Sequence, residues 1–288
     1  MKVLITGIDG FTGEHLNKYL LNKGYKVFGT SLKNEKENIF KCDITKKDEI
    51  QRVINKIKPN YIIHLAAISF VGYENNNEFY NVNTIGTENL LMSIDSNVDK
   101  VLIVSSAAVY GNQSSEVLDE SMCVNPNNHY GISKYSAEQI TKNYFDKLPI
   151  IITRPFNYTG VGQKGTFLIP KIIKHYKEKK EVIELGNLDV IREFNSVEFV
   201  CEAYFRLLNC EYKSEIVNIA SGRGVKLLDI ISYMNEISKY EIKIKINKKF
   251  VRKNEIKKLV GSNKKLFDMV GKVEQENIKD LLLKIYRG

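Results

Sequence analysis

Little in this chain points outward or across a membrane. No stretch approaches the roughly 18 consecutive apolar residues that a membrane span requires. The opening MKVLITG has neither the charged leader nor the apolar core of a secretion signal. The cysteines, Cys42, Cys123, Cys201 and Cys210, lie far apart with no CxxC pair, so neither a disulfide framework nor a thiolate metal clip is indicated. His15, His64, His129 and His175 show no ligand spacing either. Internal repeats, low-complexity tracts and flexible linkers are also missing. These absences give the expectation of a soluble, cytoplasmic, reduced and metal-free protein.

What is present is length and a strong apolar pattern. At 288 residues and 43% hydrophobic content, the chain can bury the core of one large α/β domain or of a domain with a smaller lobe. Its net charge is +9, and eleven Lys or Arg against Glu241 and Glu255 between Lys239 and Lys265 account for the whole excess. That strip has no nucleic-acid-reading motif and no interleaved aromatics, so it reads as a solvated surface. A few of its residues could attract an anionic small substrate.

Apolar β-branched runs occur at 3–5, 61–65, 101–104 and 150–153, with a shorter one at Val27 and Phe28. Amphipathic stretches near 12–22, 46–57, 84–95 and 133–146 separate them. Continuous apolar strands alternating with helices predict a doubly wound parallel sheet, with ligands at the carboxyl ends of its strands. The expected division is a Rossmann domain over 1–155 and, over 156–288, a smaller α/β lobe from which some elements return to the first domain.

Directly after the first run comes TGIDGFTG, with glycines at Gly7, Gly10 and Gly13. This spacing suits a turn that receives a pyrophosphate at a helix N-terminus. After the second run, where a carboxylate would accept the ribose 2′-hydroxyl of NAD, the chain has Ser31 and Lys33 instead. A hydroxyl and an ammonium favour a 2′-phosphate, hence NADP(H) over NAD(H). Asp43 and Ile44, after a short third strand, would meet the adenine. Tyr130 and Lys134 form a Tyr-x3-Lys pair that shares one helix face. A free tyrosine, with a pKa near 10, needs such a cation nearby to take part in proton transfer at neutral pH.

TGIDGFTG, CDI, HLAA, NVNTIGT, SSAAVYG, YGISK and RPFN, in that order, resemble the extended short-chain dehydrogenase/reductase family, in particular its nucleotide-sugar branch. The resemblance covers nearly the whole chain and implies a catalytic set of Ser106, Tyr130 and Lys134. Tyr130 would be the acid/base, Ser106 would hold the substrate oxygen and Lys134 would bind the nicotinamide ribose. It implies further dinucleotide contacts at Phe11, Thr12, Leu65, Ala66 and Ala67. RPFNYTGVGQ, LGNLDVIREF and RKNEIKKLVGSNKK are similar to the GDP-mannose dehydratase and GDP-6-deoxymannose reductase subgroup. By that likeness Ser69, Asn157, Lys171, Arg192, Arg252 and Glu255 would hold a nucleotide-diphosphate sugar.

The 4,6-dehydratases of the family place an acid where this chain has Ala107 and Ala108. Methyl groups carry no protons to exchange. The resemblance therefore implies hydride transfer at C4 of a GDP- or dTDP-linked 4-keto-6-deoxyhexose. A C4 epimerase holding NAD is the alternative; a dehydratase or a non-catalytic binding protein stands further off. The family also implies a homodimer through helices matching 84–95 and 133–146, with Leu90, Leu91, Ile140 and Tyr144 fitting either that bundle or a core face.

Overall fold

In a computed structural model, which describes residues 1–95, 97–251 and 255–288, the apolar runs become the inner strands of one parallel sheet. The first half of the chain runs β1 (Lys2–Thr6), α1 (Phe11–Asn22), β2 (Lys26–Ser31), β3 (Ile39–Lys41), α2 (Lys47–Ile57), β4 (Tyr61–His64), α3 (Asn76–Tyr80), α4 (Gly86–Ser93), β5 (Lys100–Val104), α5 (His129–Lys142) and β6 (Ile150–Pro155). The second half supplies β7 (Tyr158–Thr159), α6 (Leu168–Lys177), β8 (Val182–Leu185), β9 (Ile191–Glu193), β10 (Asn195–Ser196), α7 (Val197–Leu208) and β11 (Glu215–Ile219). After these come β12 (Gly224–Lys226), α8 (Leu227–Ser238), β13 (Lys243–Ile246), β14 (Lys258–Leu259), α9 (Lys264–Val270) and α10 (Ile278–Arg287).

The main sheet has seven parallel strands in the order β11-β6-β5-β4-β1-β2-β3. Its direction of winding reverses between β1 and β4, where Thr6 lies opposite His64. A crevice opens at such a reversal, outside the carboxyl ends of the strands. Alternate side chains feed opposite faces. Val3 and Ile5 join Leu16, Val200 and Tyr204 on one side, whereas Leu4 and Ile62 join Ile50, Ile54 and Leu90 on the other. A separate apolar cluster joins α6, α8 and α10 through Ile172, Ile173, Ile230, Met234 and Leu281. Between these layers, α7 and β11 carry the later part of the chain back to the main sheet.

Two helices depart from their expected bounds for local reasons. The one expected at 84–95 starts at Asn76 and passes through a π-helical turn at Asn81–Ile85 before α4. The one expected at 133–146 begins at His129, because the Asn128 side chain accepts the Gly131 N–H at 2.9 Å and caps it. Leu90 and Leu91 belong to the core beside the sheet, at 0% and 1% exposure, so they are unavailable to a partner. The exposed apolar residues of this region are Ile85, Met92 and Ile132.

The basic strip is partly neutralised by acids from elsewhere in the fold. Lys245 lies over Glu184, Lys258 over Glu116, and Lys265 over Glu215. Among the described residues no helix is long and apolar enough to cross a membrane, and no group of His, Cys, Asp and Glu converges on a metal position.

Candidate active site

The glycine turn is shaped by close approach. Gly7 has φ +70°, and a side chain there would meet the Ala66 backbone at 3.0 Å. A Cβ on Gly13 would stand 2.5 Å from the Gly7 carbonyl oxygen, so only glycine lets α1 seat this deeply. Gly10 caps α1 without a side-chain hydrogen bond, which leaves the first-turn N–H groups directed at the crevice. A turn this bare at a helix N-terminus fits the pyrophosphate of a dinucleotide. Phe11 packs under Tyr158, and the Thr12 hydroxyl bonds the Tyr158 hydroxyl at 2.6 Å. The far strand of the crevice contributes Leu65, Ala66 and Ala67, all half-buried, after β4.

The end of β2 meets a residue of the glycine turn, Asp9, for which pattern reading found no role. Ser31 is buried, and its hydroxyl donates to Asp9, which lies in the glycine turn, at 2.6 Å. Lys33 is exposed on the loop that follows. One Asp43 carboxylate oxygen closes onto Thr45, whose hydroxyl and N–H donate at 2.7 and 3.0 Å, and Ile44 is buried beside it.

Ser106, Tyr130 and Lys134 come together at the ends of β5 and α5. The Ser106 oxygen accepts the Ala108 N–H at 3.1 Å, which leaves its hydroxyl proton to be donated outward. Tyr130 is the second residue of α5 and lies beside Ser106. Burial raises the Tyr130 phenol above its ordinary value, and the Ser106 hydroxyl pulls it part of the way back. Lys134 is buried one turn further along, and its ammonium donates to the Val104 carbonyl at 2.7 Å. Burial lowers Lys134 to about 8, with the Glu138 carboxylate acting in the opposite direction. The ammonium is therefore engaged with the strand end, and Tyr130 keeps a high value.

Three supporting groups hold this geometry. Glu138 is fully buried and forms a two-point ion pair with Arg154, at 2.9 and 2.7 Å, while also accepting the Ser105 hydroxyl at 2.6 Å. Tyr110, which ends the SSAAVY run, is also fully buried; it lies beneath the Arg154 guanidinium and donates to Asn218. Asn83, in the π-helical turn, bridges the Ile68 backbone to the Ser133 hydroxyl of α5, so it joins the loop after β4 to the Tyr130 helix. Asn83 lies within the NVNTIGT stretch, but a single Asn in a helix carries no spacing signal from which this bridging role could be read. His64 is a core residue: burial lowers it to about 3, and Thr6 and Thr87 bracket its two nitrogens at 2.7 and 3.0 Å.

The expected substrate residues divide into two groups. Ser69 and Asn157 are exposed at the ends of β4 and β6, on the rim of the crevice. Arg192, Glu255 and Lys171 lie on the second layer and are engaged with protein. Arg192 pairs with Glu255 at 2.8 Å and donates to the Ile256 and Lys257 carbonyls. Lys171 donates to the Glu184 carbonyl at 2.7 Å and sits over the Phe250 ring. Arg252 lies outside the described residues. Ala107 is buried and Ala108 half-buried, so the short turn after Ser106 presents methyl groups where an acid would stand in a dehydratase.

The sequence profile of the NAD dependent epimerase/dehydratase family matches residues 3–220. A GDP-6-deoxy-D-talose 4-dehydrogenase from Aggregatibacter actinomycetemcomitans is 41% identical over 275 residues, covering 94% of this chain and 92% of that protein. A solved structure from Burkholderia cenocepacia J2315 superposes with a TM-score of 0.93 at 34% identity, covering 99% of this chain and 97% of that one. The structure of RMD from Pseudomonas aeruginosa complexed with NADPH superposes at 0.87 with 26% identity, covering 99% and 97% of the two chains. The seven-stranded parallel sheet agrees with these matches: the chain belongs to the NAD dependent epimerase/dehydratase family, within the extended short-chain dehydrogenases/reductases, and is an oxidoreductase.

Proposed function

We propose that this enzyme reduces the C4 ketone of a nucleotide-activated 4-keto-6-deoxyhexose, with GDP or dTDP as the nucleotide. The observation that carries the reading is the composition of the turn after β5. Ser106 and Tyr130 stand beside each other, and Ala107 and Ala108 next to them offer no acid to move protons at C5 and C6. The likeness to a GDP-6-deoxy-D-talose 4-dehydrogenase supports the same substrate class.

When bound, a nicotinamide dinucleotide supplies hydride chemistry at the ketone carbon. Gly7, Gly10, Gly13 and the N-terminus of α1 would hold its pyrophosphate, and Lys134 its nicotinamide ribose. Tyr130 acts as the acid, giving its proton to the C4 oxygen. Its raised pKa keeps it protonated at neutral pH, the form that a reduction consumes. Ser106, fixed as acceptor of the Ala108 N–H, donates a hydrogen bond to the same oxygen. Ser69 and Asn157 line the rim over which the sugar nucleotide enters. Arg192 and Glu255 hold the nucleotide end, which requires their pairing to open toward the diphosphate. Ser31 and Lys33 alone would suit a 2′-phosphate, but the Asp9 carboxylate beside Ser31 does not. A homodimer through α4 and α5 would cover the exposed Ile85, Met92 and Ile132.

The test is nicotinamide oxidation followed by absorbance, with GDP- and dTDP-linked 4-keto-6-deoxyhexoses offered separately, and NADH and NADPH compared. Turnover with one sugar names the nucleotide, and NMR of the product gives its C4 configuration. If no keto sugar is reduced and NAD co-purifies with the protein, the reductase reading fails in favour of C4 epimerisation.

A further inference from the structure

The carboxylate in the glycine turn does more than occupy space. Asp9 Oδ2 accepts the Ser31 hydroxyl at 2.6 Å and the Asn34 side-chain amide at 3.2 Å. The Ser31 oxygen in turn accepts the backbone N–H groups of Lys33 and Asn34 at 3.2 and 2.9 Å. A serine has one proton to donate and two lone pairs to offer, and here all three are spoken for. Asp9 itself is exposed at the carboxyl ends of β1 and β2, on the side of the turn that faces the crevice's second strand.

We infer that Asp9, oriented by Ser31 and Asn34, reads the adenosine ribose, and that the pocket therefore selects the 2′-hydroxyl of NAD(H) against the 2′-phosphate of NADP(H). The inference rests on the dinucleotide reading of the glycine turn and deepens it. A ribose diol brings two O–H donors, and a carboxylate has roughly four acceptor directions, of which Ser31 and Asn34 use two. A 2′-phosphate brings only acceptors, with a charge of about −1.5 to −2. It would meet a carboxylate of like sign and a serine whose proton is already given away. Lys33 is the one nearby cation of the loop segment 31–34, and it stands in solvent without a partner surface that would fix it on a phosphate.

The usual arrangement places the acid at the end of the second strand. Here that end is Ser31, and the acid reaches the same place from the preceding turn. Inspection of the residues after β2 alone therefore leads to NADP(H), and the fold reverses the inference by bringing position 9 beside position 31.

Calorimetric titration of NADH and of NADPH into the purified full-length protein tests this without reference to turnover. The expected result is a dissociation constant for NADH at least tenfold below that for NADPH. Asp9→Asn should weaken NADH about tenfold and leave NADPH unchanged or tighter, collapsing the ratio, and Asp9→Arg should invert it. Circular dichroism of each variant verifies that the fold is retained. Equal or tighter binding of NADPH by the unsubstituted protein would overturn the inference, as would a ratio that Asp9→Asn leaves unmoved. If the folded protein binds neither dinucleotide, the reading of the glycine turn fails first and takes this inference with it, an outcome distinct from a reversed preference.

Discussion

Tyr130 and Lys134 sit one helical turn apart and experience burial with opposite consequences. The phenol is raised and stays protonated, whereas the ammonium is lowered to about 8. For a reduction, both are wanted in their protonated forms. Replacing Tyr130 with Phe removes the acid that protonates the C4 oxygen and keeps the ring, so the rate of keto-sugar reduction should fall about 10²–10⁴-fold with little change in dinucleotide binding. A variant that retained turnover would show that the proton comes from elsewhere. Lys134 sets the alkaline side of the profile. Its charged form is present below about 8 and is lost as pH rises through that value. The value of kcat/KM for reduction should therefore descend from about pH 8, and a profile flat to pH 10 would place Lys134 outside the reacting assembly.

At the scale of elements, the carboxyl end of β6 and helix α5 are fastened by a buried ion pair. Glu138 and Arg154 are both buried, and Ser105 and Tyr110 complete the cluster around them. Breaking one side of such a pair leaves a bare charge in the interior, which costs about 3–5 kcal/mol. Urea unfolding of Glu138→Gln should show that loss, and Glu138→Gln combined with Arg154→Leu should recover part of it. An unchanged midpoint for the single variant would mean that water reaches Arg154. The apolar strands, the glycine turn and the Tyr-x3-Lys helix were legible because each has a period or spacing of its own. The cluster around Glu138 was not. Glu138, Arg154 and Asn218 are isolated polar residues in sequence, and only the packing of α5 against β6 and the pairing of β6 with β11 make them neighbours. Asp9 escaped notice for the same reason. The register of β1 on β2 delivers it to Ser31, and no local pattern records that meeting. Leu90 and Leu91 show the reverse difficulty, since periodicity alone does not distinguish a face that meets a sheet from one that meets a second subunit.

Across the whole molecule, the crevice depends on β1 and β4 lying side by side where the sheet reverses, and His64 is part of that seam. Its ring is neutral because burial lowers it to about 3, while Thr6 and Thr87 occupy its nitrogens. In the unfolded chain a histidine titrates near 6.5. Between those values the unfolded state binds a proton that the folded state refuses. The stability linked to His64 is thus complete above about pH 6.5 and declines as pH falls toward 3, by about 1.4 kcal/mol per unit. Carboxylates add their own acid dependence, so the total slope does not isolate this residue. The comparison with His64→Gln does, because that variant can still bond to both threonines and has no proton to take up. Urea midpoints measured from pH 7 to pH 4.5 should fall more steeply for the unsubstituted protein than for His64→Gln, and the two slopes should differ by close to one proton. Parallel slopes would mean that the β1–β4 seam admits a charged imidazole.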